Sequence, residues 1–143
     1  MTIQVFHIVD VTPASAPDVR RLVDEASVAA SSFRGAERLR ASCARLDLSS
    51  ARGAIGTYED RVVGLALWTI DDAELMIEVL YVVPEARGLG LGESLVQRAV
   101  EEARRHGCTS IAGRALPGDR ETKNVYERTG LVSQVITVGK ALD

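Results

Sequence analysis

Cysteine is nearly absent from this chain: Cys43 and Cys108 are the only two in 143 residues. They lie far apart and show no metal-ligand spacing, so they read as buried free thiols rather than as a disulfide or a metal site. Long apolar runs are missing as well. Nothing approaches the roughly 18 residues of a membrane span. The N-terminal "MTIQVFHIVDVT" has no charged segment leading into a long apolar one, so the expectation is a cytoplasmic protein with no membrane partner. Basic charge is in short supply too, with 17 Lys and Arg against 20 Asp and Glu and a formal net charge of -3. That balance argues against nucleic acid as the principal partner and favours a cationic small molecule.

What is present suits one folded domain over residues 1–143. Hydrophobic residues make up 46% and charged residues 26%, an ordinary globular balance without repeats or low-complexity linkers. The alternation in "IQVFHIV" predicts a strand over 3–9, and Val19, Leu22, Val23, Ala26, Ala30 and Phe33 recur at helical spacing over 15–33. A second helix is expected near 35–46, with Arg34, Arg38, Arg40 and Arg45 toward solvent or an anionic group. Three successive strands follow over 51–58, 62–70 and 74–83, separated by the polar turns "YEDR" and "DDA". Trp68 and Met76 fall in the core. Leu91, Leu95, Ala99 and Ala103 stripe a helix over 89–106 that Gly107 ends. A strand over 109–115, a short helix closed by Gly130 and a last strand over 131–140, "LVSQVITVGK", complete the order.

Between the third strand of the meander and the long helix lies "PEARGLGLGESL", residues 84–95, with glycine at 88, 90 and 92. Such a loop either makes a tight turn or lets backbone N–H groups converge on an anion at a helix N-terminus. A dinucleotide fingerprint fails, because the sixth position counted from Gly88 is Glu93. A P-loop fails too, since Gly92 is followed by Glu93 and Ser94 rather than Lys.

The spacing that remains is R-x-x-G-x-G, carried by Arg87, Gly90 and Gly92. With its strand and helix it resembles the Q/R-x-x-G-x-G/A signature of the GCN5-related N-acetyltransferase (GNAT) family. Downstream, "GDRETKNVYERTGL" resembles that family's N-x-x-A-x-x-x-Y helix and following G-F pair. Tyr126 and Gly130 match, whereas Asp119, Thr122 and Leu131 replace the usual Asn, Ala and Phe. The resemblance implies a mixed α/β fold with a largely antiparallel central sheet flanked by helices. It also implies acetyl-CoA as co-substrate with no metal, and transfer of its acetyl group to an amine by direct attack through a tetrahedral intermediate. The cofactor would be held by Val82, Val83, Arg87, Gly88, Leu89, Gly90, Gly92 and Glu93, with Asn124 standing in for the missing Asn. The acceptor is a small-molecule or peptide amine, and a homodimer is compatible with the edge strands.

That chemistry sets three demands. A backbone N–H at Val82 or Val83 would meet the oxyanion. Tyr126, by resemblance the general acid, would protonate the leaving thiolate; the alternative is a purely packing tyrosine. An alkyl amine is neutral in only about one molecule in 2,500 at pH 7, which costs the reactive form about 4.6 kcal/mol, so a base is needed. Glu78, between Ile77 and Val79, is the candidate and Glu74 the fallback, unless both lie on a solvated face and water relays the proton. His7 and His106 read as structural or surface residues. The rival reading is a domain that binds acyl-CoA without turning it over, as a sensor or interaction module.

Overall fold

The computed structural model describes residues 6–48 and 50–142. Five strands form one sheet in the order β1-β2-β3-β4-β5, with β1 His7–Asp10, β2 Arg52–Tyr58, β3 Arg61–Asp71, β4 Glu74–Val82 and β5 Ser110–Gly113. Each pair from β1 to β4 is antiparallel, and β5 joins β4 in parallel. The sheet is therefore mixed and largely antiparallel, as expected. Of the predicted 3–9 strand, residues 3–5 fall outside the described residues. No helix among the described residues is long and apolar enough to cross a membrane.

Helices α1 (Ala16–Ala30) and α2 (Ala36–Ala44) precede the meander, α3 (Leu91–Arg105) follows β4, and α4 (Arg120–Arg128) follows β5. The stripe read from the sequence is the face that α3 buries: Leu91, Leu95, Val96, Ala99 and Ala103 are all at most 5% exposed. Gly56 and Gly64 face each other across β2 and β3, and a Cβ on either would press on the Leu91 side chain. The pair thus forms a notch that receives the first residue of α3 and seats the helix start against the sheet. On the opposite face, Val79 and Tyr81 of β4 meet α1 and α2.

Both helix ends follow their glycines. Gly107 (φ 73°) and Gly130 (φ 94°) let the next residue donate back, Cys108 N to Ala103 O and Leu131 N to Tyr126 O, each at 2.9 Å. This closure satisfies carbonyls that a helix end leaves free.

The last expected strand does not form. Residues 131–142 carry no regular secondary structure, and Val132, Val135, Ile136 and Val138 are 66–87% exposed. The segment is rich in β-branched residues, but Val135 and Ile136 break the alternation. Val132, Ile136 and Val138 would share one face, but that face has nothing to pack on, and propensity without a ladder partner does not make a strand.

Leu95→Ala, which empties a fully buried site between α3 and the sheet, should cost about 2–5 kcal/mol in urea unfolding. Gly53→Ala should also destabilise, by about 1–3 kcal/mol, because its methyl would overlap the Ala66 carbonyl oxygen.

Candidate active site

The site begins with an irregularity in β4. Leu67 faces Val79 and Trp68 faces Ile77, which leaves Glu78 as the extra residue of a β-bulge. A bulge bends its strand and redirects the side chain it carries. Pairing with β5 stops at the same place, since the parallel ladder runs only from Glu74 opposite Ser110 to Ile77 opposite Gly113. From Glu78 to Val82, β4 keeps β3 on one side and has an open edge on the other.

Backbone donors alternate along an antiparallel strand. The Val83 amide donates to Val63 O at 2.9 Å, so it is engaged in the ladder. The Val82 amide, one residue earlier, points away from β3 toward the open edge. The Val82 carbonyl accepts from Arg87 Nε at 2.9 Å, and the Arg87 guanidinium lies 5.7 Å from the centre of the Tyr81 ring. Burial first, and then the Glu25 carboxylate, push the Tyr81 phenol above its ordinary pKa. An open groove of about 820 Å³ runs along α1 beside Tyr81, lined by Arg20, Arg21, Asp24, Glu25 and Val28 among others.

Beyond Arg87 the chain turns into α3 through Gly88 (φ 79°) and Gly90 (φ 88°), backbone that residues with a Cβ rarely adopt. No side chain caps the helix start, so the first-turn amides are open to an incoming acceptor. A Cβ at Gly88 or Gly90 would meet no atom within 4 Å. Open amides, a helix N-terminus and this clearance fit a pyrophosphate, with Leu89, 44% exposed, between the two glycines. Gly92 serves helix packing instead, because a Cβ there would come within 3.2 Å of the Val125 methyls and its bare backbone lets α4 approach α3. Glu93 places a carboxylate in the first turn, and Arg128 Nε holds it at 2.6 Å.

Helix α4 starts on Asp119, whose side chain accepts from the Thr122 amide at 3.1 Å and the Thr122 hydroxyl at 2.8 Å. The residue in place of the family's Asn is therefore a helix cap. Tyr126 is 5% exposed and lies directly over Gly113, where any Cβ would overlap its ring. Its hydroxyl donates to Arg114 O at 3.1 Å. Burial, reinforced by the Asp119 and Glu78 carboxylates, holds the phenol well above its ordinary pKa, so the proton stays on the oxygen. Asn124 is exposed and, two residues earlier on the helix, points roughly 200° away from Tyr126.

Glu78 is neither solvated nor free. Its carboxylate accepts from Thr69 Oγ1 at 3.1 Å and Arg114 Nε at 2.8 Å, and the side chain is 14% exposed. Glu74 sits about 13 Å further along the strand, exposed, where Ser110 Oγ donates to it at 3.0 Å. His7 is exposed on β1, and His106 ends α3 with Nε2 3.0 Å from Glu102.

The structure thus brings Glu78 and Tyr126 together at the parting of β4 and β5 through Arg114, and leaves Val82 about 13 Å along the open edge of β4, where its carbonyl is held by Arg87 at the approach to the Gly88–Gly90 turn. It engages Val83 elsewhere, turns Asn124 outward and gives Gly92 to the contact between α3 and α4. Sequence reasoning missed Arg114 and Thr69, since neither belongs to a spacing pattern. It also missed the Asp119 cap, for which D-x-x-T was a usable signal.

The sequence model of the Acetyltransferase (GNAT) family matches residues 19–131. No curated protein sequence is significantly similar to the chain. Among solved structures, aminoglycoside N-acetyltransferase AAC(6')-Iy in complex with CoA superposes with a TM-score of 0.71 at 16% identity, covering 99% of this chain and 98% of that one. The ribosomal-protein-alanine N-acetyltransferase of Brucella melitensis gives 0.72 at 12% identity, over 96% and 100%. An aminoglycoside acetyltransferase from an uncultured soil metagenomic sample, in complex with sisomicin, gives 0.71 at 16% identity, over 96% and 97%.

Tyr126 carries a pH signature. Its pKa is raised on folding, so the unfolded chain releases this proton near pH 10 while the folded one retains it. The contribution is fully present below about pH 10, and stability falls above it, by up to about 1.4 kcal/mol per pH unit. Denaturant titrations from pH 8 to 11.5 should show this slope, and Tyr126→Phe should make it shallower, leaving the share that the raised Tyr81 phenol contributes. Gly113→Ala should displace the ring and destabilise by about 1–3 kcal/mol in the same assay.

Proposed function

The chain belongs to the GNAT family of acetyltransferases, and on that premise we propose that it moves an acetyl group from acetyl-CoA to an amine. The observation that carries this reading is the opening beside β4 with the glycine turn at its end. Beyond Ile77, β4 has no ladder partner on the β5 side, and the turn offers amides and a helix dipole to a pyrophosphate. Gly88, Leu89, Gly90 and the first-turn amides of α3 would hold the phosphates. Arg87 braces Val82 from beside the loop, and Arg128 offsets the Glu93 carboxylate in the first turn of α3.

Acetyl-CoA, when bound, supplies an acetyl thioester and a thiolate leaving group. The chain's own groups answer the needs of the transfer. The Val82 amide is directed into the opening, where an oxyanion would form. Tyr126 would protonate the departing sulfur by turning its hydroxyl from the Arg114 carbonyl, to which it now donates. Glu78 offers a carboxylate to the acceptor's proton. Such a group has about four acceptor sites, of which Thr69 and Arg114 occupy two. Amine-bearing ligands of the structural neighbours support an amine acceptor; the substrate of one of them is an aminoglycoside by name.

The test is thermal unfolding with acetyl-CoA, desulfo-CoA and ATP. A ligand at 100 times its dissociation constant adds about 2.7 kcal/mol, a rise of roughly 5–10 °C for a domain of this size. We expect that rise with both CoA species and none with ATP; no rise with either would end the reading. Gly90→Val should weaken acetyl-CoA at least about tenfold, or 1.4 kcal/mol, because its side chain occupies the space beside the turn. Tyr126→Phe should keep the thermal shift and lower kcat about 100-fold. A protein that shifts with acetyl-CoA but releases no CoA with any amine would instead be an acyl-CoA sensor.

A further inference from the structure

The hydrogen bonds of the two proposed proton-handling groups meet at a single residue, which neither motif contains. Arg114 follows β5 directly. Its amide donates to Ile77 O at 3.2 Å, the last link before the strands part. Its carbonyl receives the Tyr126 hydroxyl at 3.1 Å. Its guanidinium Nε donates to Glu78 Oε2 at 2.8 Å. One residue thus ties off the opening, fixes the phenol through its backbone and fixes the carboxylate through its side chain.

We propose that Arg114 is a positioning residue of the acetyl transfer, holding Glu78 in the geometry from which it takes the acceptor's proton. This rests on the acetyltransferase reading above.

The burial pattern separates this from an ordinary surface ion pair, which contributes little. The Glu78 side chain is 14% exposed and that of Arg114 51%, so the carboxylate is fixed within the protein while the cation approaches from the solvent side. Glu78 is also the bulged residue of β4, without a cross-strand neighbour to set its rotamer. Its orientation therefore depends on what its two oxygens bind. Thr69 holds Oε1 from β3, and Arg114 holds Oε2 from beyond β5, so the carboxylate is stretched between the two strands that flank β4. A group held at both ends keeps its remaining lone pairs aimed in one direction, as a positioned base requires. The hydrogen bonds of Arg114 go to Ile77, Glu78 and Tyr126, so its removal should leave cofactor binding at the glycine turn alone.

The experiment compares wild type, Arg114→Ala, Arg114→Lys, Glu78→Gln and the Glu78→Gln/Arg114→Ala double variant of the full chain. CoA thiol release from acetyl-CoA is followed with n-butylamine, spermidine and a short peptide with a free N-terminus as acceptors. The acetyl-CoA thermal shift is measured for each protein. Arg114→Ala should lower kcat about 10- to 100-fold, with the acetyl-CoA KM and thermal shift within about twofold of wild type. Arg114→Lys should recover part of the loss. In the Glu78→Gln background, removing Arg114 should cost nothing further, since residues acting as a unit are not additive.

Wild-type kcat in Arg114→Ala, or a double variant whose loss is the product of the two single losses, would overturn the proposal and leave the acetyltransferase reading standing. A wild type that gives neither thermal shift nor thiol release would overturn both. Arg114→Ala that loses the acetyl-CoA shift along with activity would show a structural role and overturn the positioning proposal alone.

Discussion

Everything at this site follows from β4 and β5 ceasing to pair. The ladder between them holds for four residue pairs and ends where Glu78 bulges out of register with β3. A sheet that stayed zipped would spend the β4 backbone on hydrogen bonds to its neighbour. By stopping, it keeps a length of strand whose amides and carbonyls remain available on one side, while β3 holds the other side rigid. The irregularity is local, and it frees one side of a strand while β3 supports the other.

The helices then hold the parts in relation to that opening. Helix α3 is seated by Leu91 in the notch of Gly56 and Gly64, which fixes the end of the helix where the glycine turn lies. Helix α4 is fixed to α3 by Val125 on Gly92 and by Arg128 on Glu93, and it carries Tyr126 onto Gly113. Glycine is used here for two reasons: Gly88 and Gly90 for backbone that L side chains avoid, and Gly56, Gly64, Gly92 and Gly113 for close approach.

Much of this was legible in the sequence. The helical stripe from Leu91 to Ala103 and the three-strand meander were strong periodic signals, and the glycine spacing after the third strand identified the turn. Glu78 could be named as a mid-strand carboxylate. Its bulge could not, because a bulge depends on the register between two strands and not on either alone. Arg114 was invisible for the same reason, since its partners lie 36 residues before it and 12 after it. Asn124 has the side-chain chemistry of the missing Asn, but two residues of helix point it about 200° away from Tyr126. The strand expected over 131–140 failed because β propensity describes what a segment can do once it has a partner.

The division of labour between the faces of the sheet has a consequence for divergence. The α3 face and the glycine turn are anchored by backbone and small residues, whereas α1 and α2 pack on the other face around Val79 and Tyr81. Exposed residues of α1 and α2 can be exchanged without touching the seat of α3, whereas Val19 and Leu22 are fully buried. A lineage built on this plan can therefore change what approaches from the first helices while keeping its glycine turn and the seat of α3 intact.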